Sequence, residues 1–179
     1  MSTDSHVPYG TAETSGDAHT LRYELRLPHP VDTVWAAVAT PGGLRGWLAA
    51  ADPFEPGPGG EITLRWQNTD PDGNATVAPG RITAWKRASI AEYTVDAHGC
   101  IRFALTPSPA PDATDGEATV LRFSNDFTGS DEVVLDTLAG WHHHLEFLTE
   151  ALEGHPKDWS TWTLDRWRRL REEYAALER

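Results

Sequence analysis

Three consecutive histidines, His142-His143-His144, are the residues of this sequence best suited to hold a metal ion. Imidazole is a good ligand for zinc and similar ions. In a helix, however, consecutive side chains point about 100° apart, so these three do not converge on one ion. No His-Glu-x-x-His pattern is present. The expected metal complement is therefore none, and the expected cofactor complement is none. Nucleophilic chemistry is no better supplied, because serine is sparse and no Gly-x-Ser-x-Gly elbow occurs. Cys100 is the sole cysteine. It sits in the apolar stretch Cys100-Ile101-Arg102-Phe103 and reads as a small buried hydrophobe with no disulfide partner in the chain. Acid–base chemistry needs an inward carboxylate, and Glu92 is the only acidic residue well inside a predicted middle strand. Its parity matches Ile90 and Thr94, while Ala91, Tyr93 and Val95 occupy the other face, so Glu92 is expected to point outward. No phosphate loop or dinucleotide fingerprint is present. Catalytic residues stay unassigned, and a non-enzymatic role is preferred.

The remaining chemistry lies in the aromatic residues. Eight tryptophans supply large apolar units to a chain of 179 residues. Trp35, Trp66, Trp85 and Trp141 read mainly as core. Gly140 beside Trp141 is expected to allow close backbone approach. Trp47, at the end of a short predicted helix, is the better candidate for contact with a ligand.

These residues need elements to position them. Residues 1–19 are polar with almost no apolar period and read as a flexible tail. Leu21, Tyr23, Leu25 and Leu27 alternate with charged residues, which predicts a half-buried strand from Thr20. Val31, Val34, Trp35 and Val38 predict a short helix, and Thr40 before Pro41 can cap a second one. Ile62, Leu64 and Trp66 alternate in a strand, and Asp70-Pro71-Asp72-Gly73-Asn74 has the composition of a hairpin turn. Strands are predicted at about 75–86, 89–96, 100–106 and 118–125, with residues 107–117 as a long hairpin loop. Val134, Leu138, Trp141, Leu145, Leu148 and Leu152 recur at helical spacing and predict one long helix over 131–153. Glu146 falls on its polar side. Leu164, Trp167, Leu170, Tyr174 and Leu177 predict a further amphipathic helix. Trp159, Trp162 and Trp167 all lie in the extension 155–179, and solvated tails are poor in tryptophan. This segment is expected to dock on its own domain, with the interface of a homodimer as the alternative.

The formal charge of −12 argues against nucleic acid and against anionic membranes, both of which reward clustered cations. No apolar run reaches the length of a membrane span, and the N-terminus lacks the pattern of a signal peptide. The expectation is a cytoplasmic protein. Lysine appears only as Lys86 and Lys157 among fifteen cationic residues, a bias associated with high-GC bacterial genomes.

The order of strand, two short helices, further strands and long helix resembles the SRPBCC or START-like superfamily. The closest resemblance is to proteins like the activator of the 90-kDa heat-shock-protein ATPase. It covers about residues 20–153 and rests on several pieces in order. These are Pro30-Val31-Asp32-Thr33-Val34-Trp35, Pro41-Gly42-Gly43-Leu44-Arg45-Gly46-Trp47, Pro58-Gly59-Gly60-Glu61 and Gly80-Arg81-Ile82. Thr119-Val120-Leu121-Arg122-Phe123 and Gly140-Trp141 with Leu145 complete the set. The resemblance implies an α+β helix-grip fold over 20–154, in which about six or seven antiparallel strands curve around the long helix. It implies an apolar cavity between sheet and helix. The ligand-facing candidates are Trp47, Leu64, Trp66, Phe103, Phe123, Asn125, Leu138, Trp141 and Leu145, with Asn125 standing where relatives often place His. The expected function is binding or carriage of an apolar small molecule. The alternatives are a polyketide cyclase or aromatase-like enzyme and a chaperone-cofactor or partner-binding module. The activators proper carry an N-terminal chaperone-binding domain where this chain has its 19-residue stretch, which weighs against chaperone stimulation.

Overall fold

The computed structural model describes residues 7–109 and 117–177. The first six residues of the expected tail, and residues 110–116 of the expected hairpin loop, lie outside them. Eight strands form one antiparallel sheet. They are β1 (Thr11–Ser15), β2 (Ala18–Leu27), β3 (Ala49–Phe54), β4 (Glu61–Trp66), β5 (Val77–Lys86), β6 (Ile90–Val95), β7 (Gly99–Pro109) and β8 (Glu117–Thr128). Their order across the sheet is β1-β2-β8-β7-β6-β5-β4-β3. The short helices α1 (Val31–Val38) and α2 (Pro41–Arg45) carry the chain from β2 to the opposite edge at β3. The long helix α3 (Asp131–Leu152) follows β8, then a 3-10 turn (Trp159–Thr161) and α4 (Asp165–Leu177).

The sheet has one strand more than the six or seven expected, and the difference lies at its N-terminal edge. β1 pairs with β2 from Thr11 opposite Arg22 to Ser15 opposite Ala18, and Val7 is buried against the core. Every side chain of β1 is exposed. An edge strand with no inward face carries no alternation of apolar residues, so the hydrophobic pattern that reveals other strands is silent here.

Period-two alternation places one face of each inner strand against the helices. Leu21, Tyr23, Leu25 and Leu27 of β2 are buried, as are Ala91, Tyr93 and Val95 of β6. Glu92 lies on the outer face, where Arg102 and Thr83 hold it. Two phenols tie sheet to helices: Tyr93 donates to the Val38 carbonyl at 2.7 Å, and Tyr23 to the Leu138 carbonyl at 2.7 Å. Val38 ends α1, so Tyr93 satisfies a carbonyl that the helix itself leaves open. Thr40 caps α2 by accepting from the Gly43 amide at 3.0 Å. A side chain at Gly43 would strike the Ala36 carbonyl, so this glycine allows α1 and α2 to touch.

The apolar stripe of α3 meets the sheet as expected: Val134, Leu138, Trp141, Leu145 and Leu148 are buried. His142, His143, His144 and Phe147 are buried as well, because a second layer covers the other side of the helix. That layer is the C-terminal extension. Arg166 of α4 grips the Glu146 carboxylate with two bonds, 3.0 and 2.7 Å long. Arg171 pairs with Asp136, and Tyr174 is bonded to His142 Nδ1 at 2.7 Å and accepts from the Gly10 amide at 2.9 Å. The extension thus docks on its own chain. Leu170 and Tyr174 are buried there, whereas Leu177, the last residue of the expected stripe, is 58% exposed. Glu146 is not a free polar-side residue but the anchor of α4.

Leu145 is fully buried, while Glu150 is exposed. Leu145→Ala is expected to cost about 2–5 kcal/mol in a denaturant titration. Glu150→Ala should stay within about 0.5 kcal/mol. Equal small losses would contradict this placement of α3.

Candidate functional site

The concave face of the sheet is filled by its own side chains. An aromatic series runs across it, with ring centroids 6.1 Å apart for Phe54–Tyr93 and for Tyr93–Phe103, 5.2 Å for Phe103–Phe123 and 4.5 Å for Phe123–Trp141. Trp47 packs edge-on against Phe103, donates its indole N–H to the Ala37 carbonyl at 2.8 Å and has no exposed surface. Leu64, Phe103, Phe123, Leu138 and Leu145 are likewise buried in this core. The candidate contacts from the middle of the sheet, Trp47 included, are packing residues. Asn125 is fully buried and fully used. Its amide nitrogen donates to the carbonyls of His98 and Cys100 at 2.7 and 3.0 Å, and its oxygen accepts from Trp141 Nε1 at 2.9 Å.

A space suited to a ligand lies at one end of the grip. A cleft of about 270 Å³ opens between the β4–β5 loop, the β6–β7 turn, α3 and the C-terminal extension. Of the sequence candidates, Trp66 and Trp141 line it; Trp47, Leu64, Phe103, Phe123, Asn125, Leu138 and Leu145 do not. The other walls come from Asn68 and its loop, from His98, from Asp136, Gly140 and His144 on α3, and from Trp162, Leu164 and Trp167. Sequence reasoning missed these contributions. The one signal for them was the concentration of tryptophan after residue 155.

Local backbone chemistry sets several of these groups in place. His98 sits in a tight turn between Ala97 and Gly99, both left-handed with φ of 68° and 69°. A side chain at Gly99 would collide with the Asp126 carbonyl. Trp66 stacks on the His98 ring at 4.2 Å. Asp70 accepts from the amides of Asp72 and Asn74 at 2.9 Å each and so shapes the β4–β5 loop. Trp167 donates to the Asp136 carbonyl at 3.1 Å, which fixes the extension against α3. Gly140, in the middle of α3, faces this space. A β-carbon there would meet only Trp167 Nε1, at an ordinary 4.0 Å. Close backbone approach does not require this glycine, contrary to the expectation from sequence.

Burial lowers the pKa of the histidines in and behind the cleft, to about 4 for His98, about 4 for His144 and about 3 for His143. All three are neutral at pH 7. His144 Nδ1 donates to the Gly140 carbonyl at 2.8 Å, so its Nε2 must accept. The Asn68 side-chain amide lies against it, with Oδ1 3.1 Å away. Two polar atoms of cleft-lining residues, His98 Nε2 and Trp162 Nε1, are buried without a hydrogen-bond partner among the described residues. No group of three or more residues placed to hold an ion occurs among the described residues. His143 instead stacks on Trp162 at 4.9 Å, and His142 meets Tyr174.

Neutral buried histidines make stability fall with acid. The unfolded chain takes up protons near pH 6.5, whereas the folded histidines resist until about pH 4 or below. Stability should be full above about pH 7 and decline through the range 6.5 to 4, by at most about 1.4 kcal/mol per pH unit for each histidine. His143→Phe should keep the stacking and make the decline shallower between pH 6.5 and 5. Denaturant midpoints measured across that range check both statements; a flat profile in the parent protein would refute them.

The family described as Activator of Hsp90 ATPase homolog 1-like protein matches residues 28–153. Among solved structures the chain is similar to a conserved protein of unknown function from Enterococcus faecalis, at 18% identity and a TM-score of 0.67 over 94% of this chain and 89% of that one. It is also similar to CalU16 from Micromonospora echinospora, at 21% identity and a TM-score of 0.62 over 94% of each chain. DynU16, a protein of the dynemicin biosynthetic locus, aligns at 20% identity and a TM-score of 0.61 over 79% of this chain and 49% of its own. At such identities these structures share the fold. A comparison with curated proteins returned no match. No helix among the described residues is long and apolar enough to cross a membrane. The family match takes in the short helices, six of the eight strands and the long helix that closes on them, and the chain belongs to the Activator of Hsp90 ATPase homolog 1-like family, on an SRPBCC-type helix-grip fold.

Proposed function

We propose that this protein binds a small, mostly apolar molecule in the cleft at the end of α3, under the C-terminal extension. One observation carries the reading. Gly140 stands in the middle of a 22-residue helix, where glycine costs about 0.5–1 kcal/mol relative to alanine. Sterics do not demand it, and it opens onto a cleft walled by four tryptophans. A concave, aromatic-rich space with a few polar groups is the usual form of a ligand site. The volume of about 270 Å³ suits a compact molecule better than a long lipid chain.

The enzyme reading has a specific observation in its favour, because His98 and His144 both line the cleft and both have shifted pKa values. Effective general acids and bases have pKa values near the working pH. Values of about 4 leave both imidazoles poor bases at neutrality, and His144 has both nitrogens engaged. Burial for its own sake explains the shifts, and binding without turnover is the better account.

Gly140→Leu places a side chain in the cleft and improves helix propensity. It should keep or raise the thermal midpoint while abolishing binding of an uncharged, environment-sensitive naphthalene dye. Trp47→Phe, in the core, should leave dye binding within about twofold of the parent. The reading fails if the parent protein does not take up the dye, or if Gly140→Leu binds it as well as the parent does.

A further inference from the structure

We infer that the C-terminal extension is an acid-operated cover: residues 157–177 lift from α3 as a unit, ahead of the rest of the fold, when the imidazoles beneath them take up protons. The inference goes beyond ligand binding and stands whatever occupies the cleft.

Lifting the extension disrupts far less than unfolding does. Leu170 and Tyr174 are the buried residues of α4. Two of its anchors, Arg166–Glu146 and Arg171–Asp136, are ion pairs whose side chains stay 18% to 49% exposed. Pairs so open to water hold a segment loosely. Segments with few buried apolar contacts open locally before the whole domain does. The link to α3 supplies a pivot. Residues 153–156 are exposed, and Gly154 is left-handed with φ of 90° and nothing within 4 Å of where a side chain would start.

Beneath the cover lies a group that the docked state holds only when neutral. His143 is buried, stacks on Trp162 at 4.9 Å and packs on Phe147 at 4.4 Å. Its Nδ1 is buried without a hydrogen-bond partner among the described residues. The titratable groups that face it are His142 and His144 from α3, Lys157 from the link and Arg166 from α4. A proton on His143 would join these cations. Glu146 is held by Arg166 and faces His142, whose Nε2 is 3.9 Å from its carboxylate. Glu173 stands 4.0 Å from Arg166, and Tyr9 and Tyr174 pack on His142. His144 lies under Trp159 and Trp162, with Asn68 as its neutral neighbour and His98 as its titratable one.

Burial first, then the neighbouring imidazoles and cations, hold His143 down to about 3, and burial holds His144 down to about 4. Water reaches both rings in the lifted state, and each returns toward about 6.5. Below that pH the lifted state binds more protons than the docked one. The opening constant then rises by close to tenfold per pH unit for each imidazole. The cover therefore works between about pH 6.5 and 4. Lifting takes Trp162, Leu164 and Trp167 from the cleft wall and frees the Gly10 amide from Tyr174. Acid opens the cleft and loosens the N-terminal edge together.

Hydrogen exchange of the full-length protein at pH 7, 6 and 5, with the intrinsic pH dependence of exchange divided out, tests this. Protection of amides 165–177 should fall at least about tenfold between pH 6 and 5, while the amides of β7 and β8 keep theirs. His143→Phe leaves an aromatic ring under Trp162 that cannot charge, and should shrink that fall severalfold. Glu146→Gln removes the charge from one anchor. It should lower α4 protection at every pH and leave the change between pH 6 and 5 in place. Loss of protection in α4 and β8 together, or none in α4, would overturn the inference. So would a fall in His143→Phe equal to the parent's, or its disappearance in Glu146→Gln, which would assign the effect to the carboxylates. Imidazole NMR titration of the parent is a second check that needs no variant. The buried rings should take up protons in step with the loss of α4 protection; rings that titrate while α4 stays protected would also overturn the inference.

Discussion

Trp141 brings its indole N–H into the interior, where it donates to the side chain of Asn125. A buried donor left unmatched costs about 1–3 kcal/mol, so α3 can settle on the sheet only where Trp141 reaches β8 at that residue. The bond is 2.9 Å long. Asn125 has a second task, since its amide nitrogen holds the carbonyls of His98 and Cys100. One side chain thereby joins the long helix, the strand beneath it and the turn that presents His98. The rest of the cleft inherits its geometry from this junction. Gly140 and His144 lie within a turn of Trp141 on α3, and Trp66 stacks on the ring that the turn holds out.

The same logic explains why the middle of the grip is closed. Tyr23, Tyr93 and Trp47 are large rings with one polar atom each, and each finds a helix carbonyl within 2.8 Å. Once those bonds are made the rings are immobilised, and they interlock with Phe103 and Phe123 across the concave face. The concave face is packed with aromatic side chains, and the cleft lies at the end where sheet, loop and extension meet.

Much of the fold was legible in the sequence, because burial writes a period into the chain. The stripe of α3 and the alternation of β2 were visible for that reason, and Thr40 before Pro41 marked the start of α2. β1 was not visible, because an edge strand with all its side chains in solvent has no period to show. The candidate site was legible only in part. Trp66 and Trp141 reach the cleft, but Trp47 does not, since position on a short helix says nothing about which carbonyl its indole will find. The burial of the histidine run was not legible. Its burial depends on α4, which lies over the far side of α3, and contacts between segments so distant along the chain leave no mark in local spacing. The pairing of Glu146 with Arg166 was hidden for the same reason.

The extension lies beyond the residues of the family match, which end at 153. Its docking relies on polar anchors as much as on apolar area: Arg166 on Glu146, Arg171 on Asp136, Trp159 on the Arg45 carbonyl and the Lys157 amide on the Gly46 carbonyl. These bonds position the segment on both α3 and the end of α2. Between them it lays Trp159 and Trp162 over His143, His144 and Phe147. The histidines are therefore desolvated by the segment that also walls the cleft. Their low pKa values and the aromatic lining have one cause. Anything that lifts the extension must rehydrate His143 and His144 and dismantle a wall of the cleft at once. Site integrity and the protonation state of these imidazoles are thus coupled through a stretch of chain that the family match does not include.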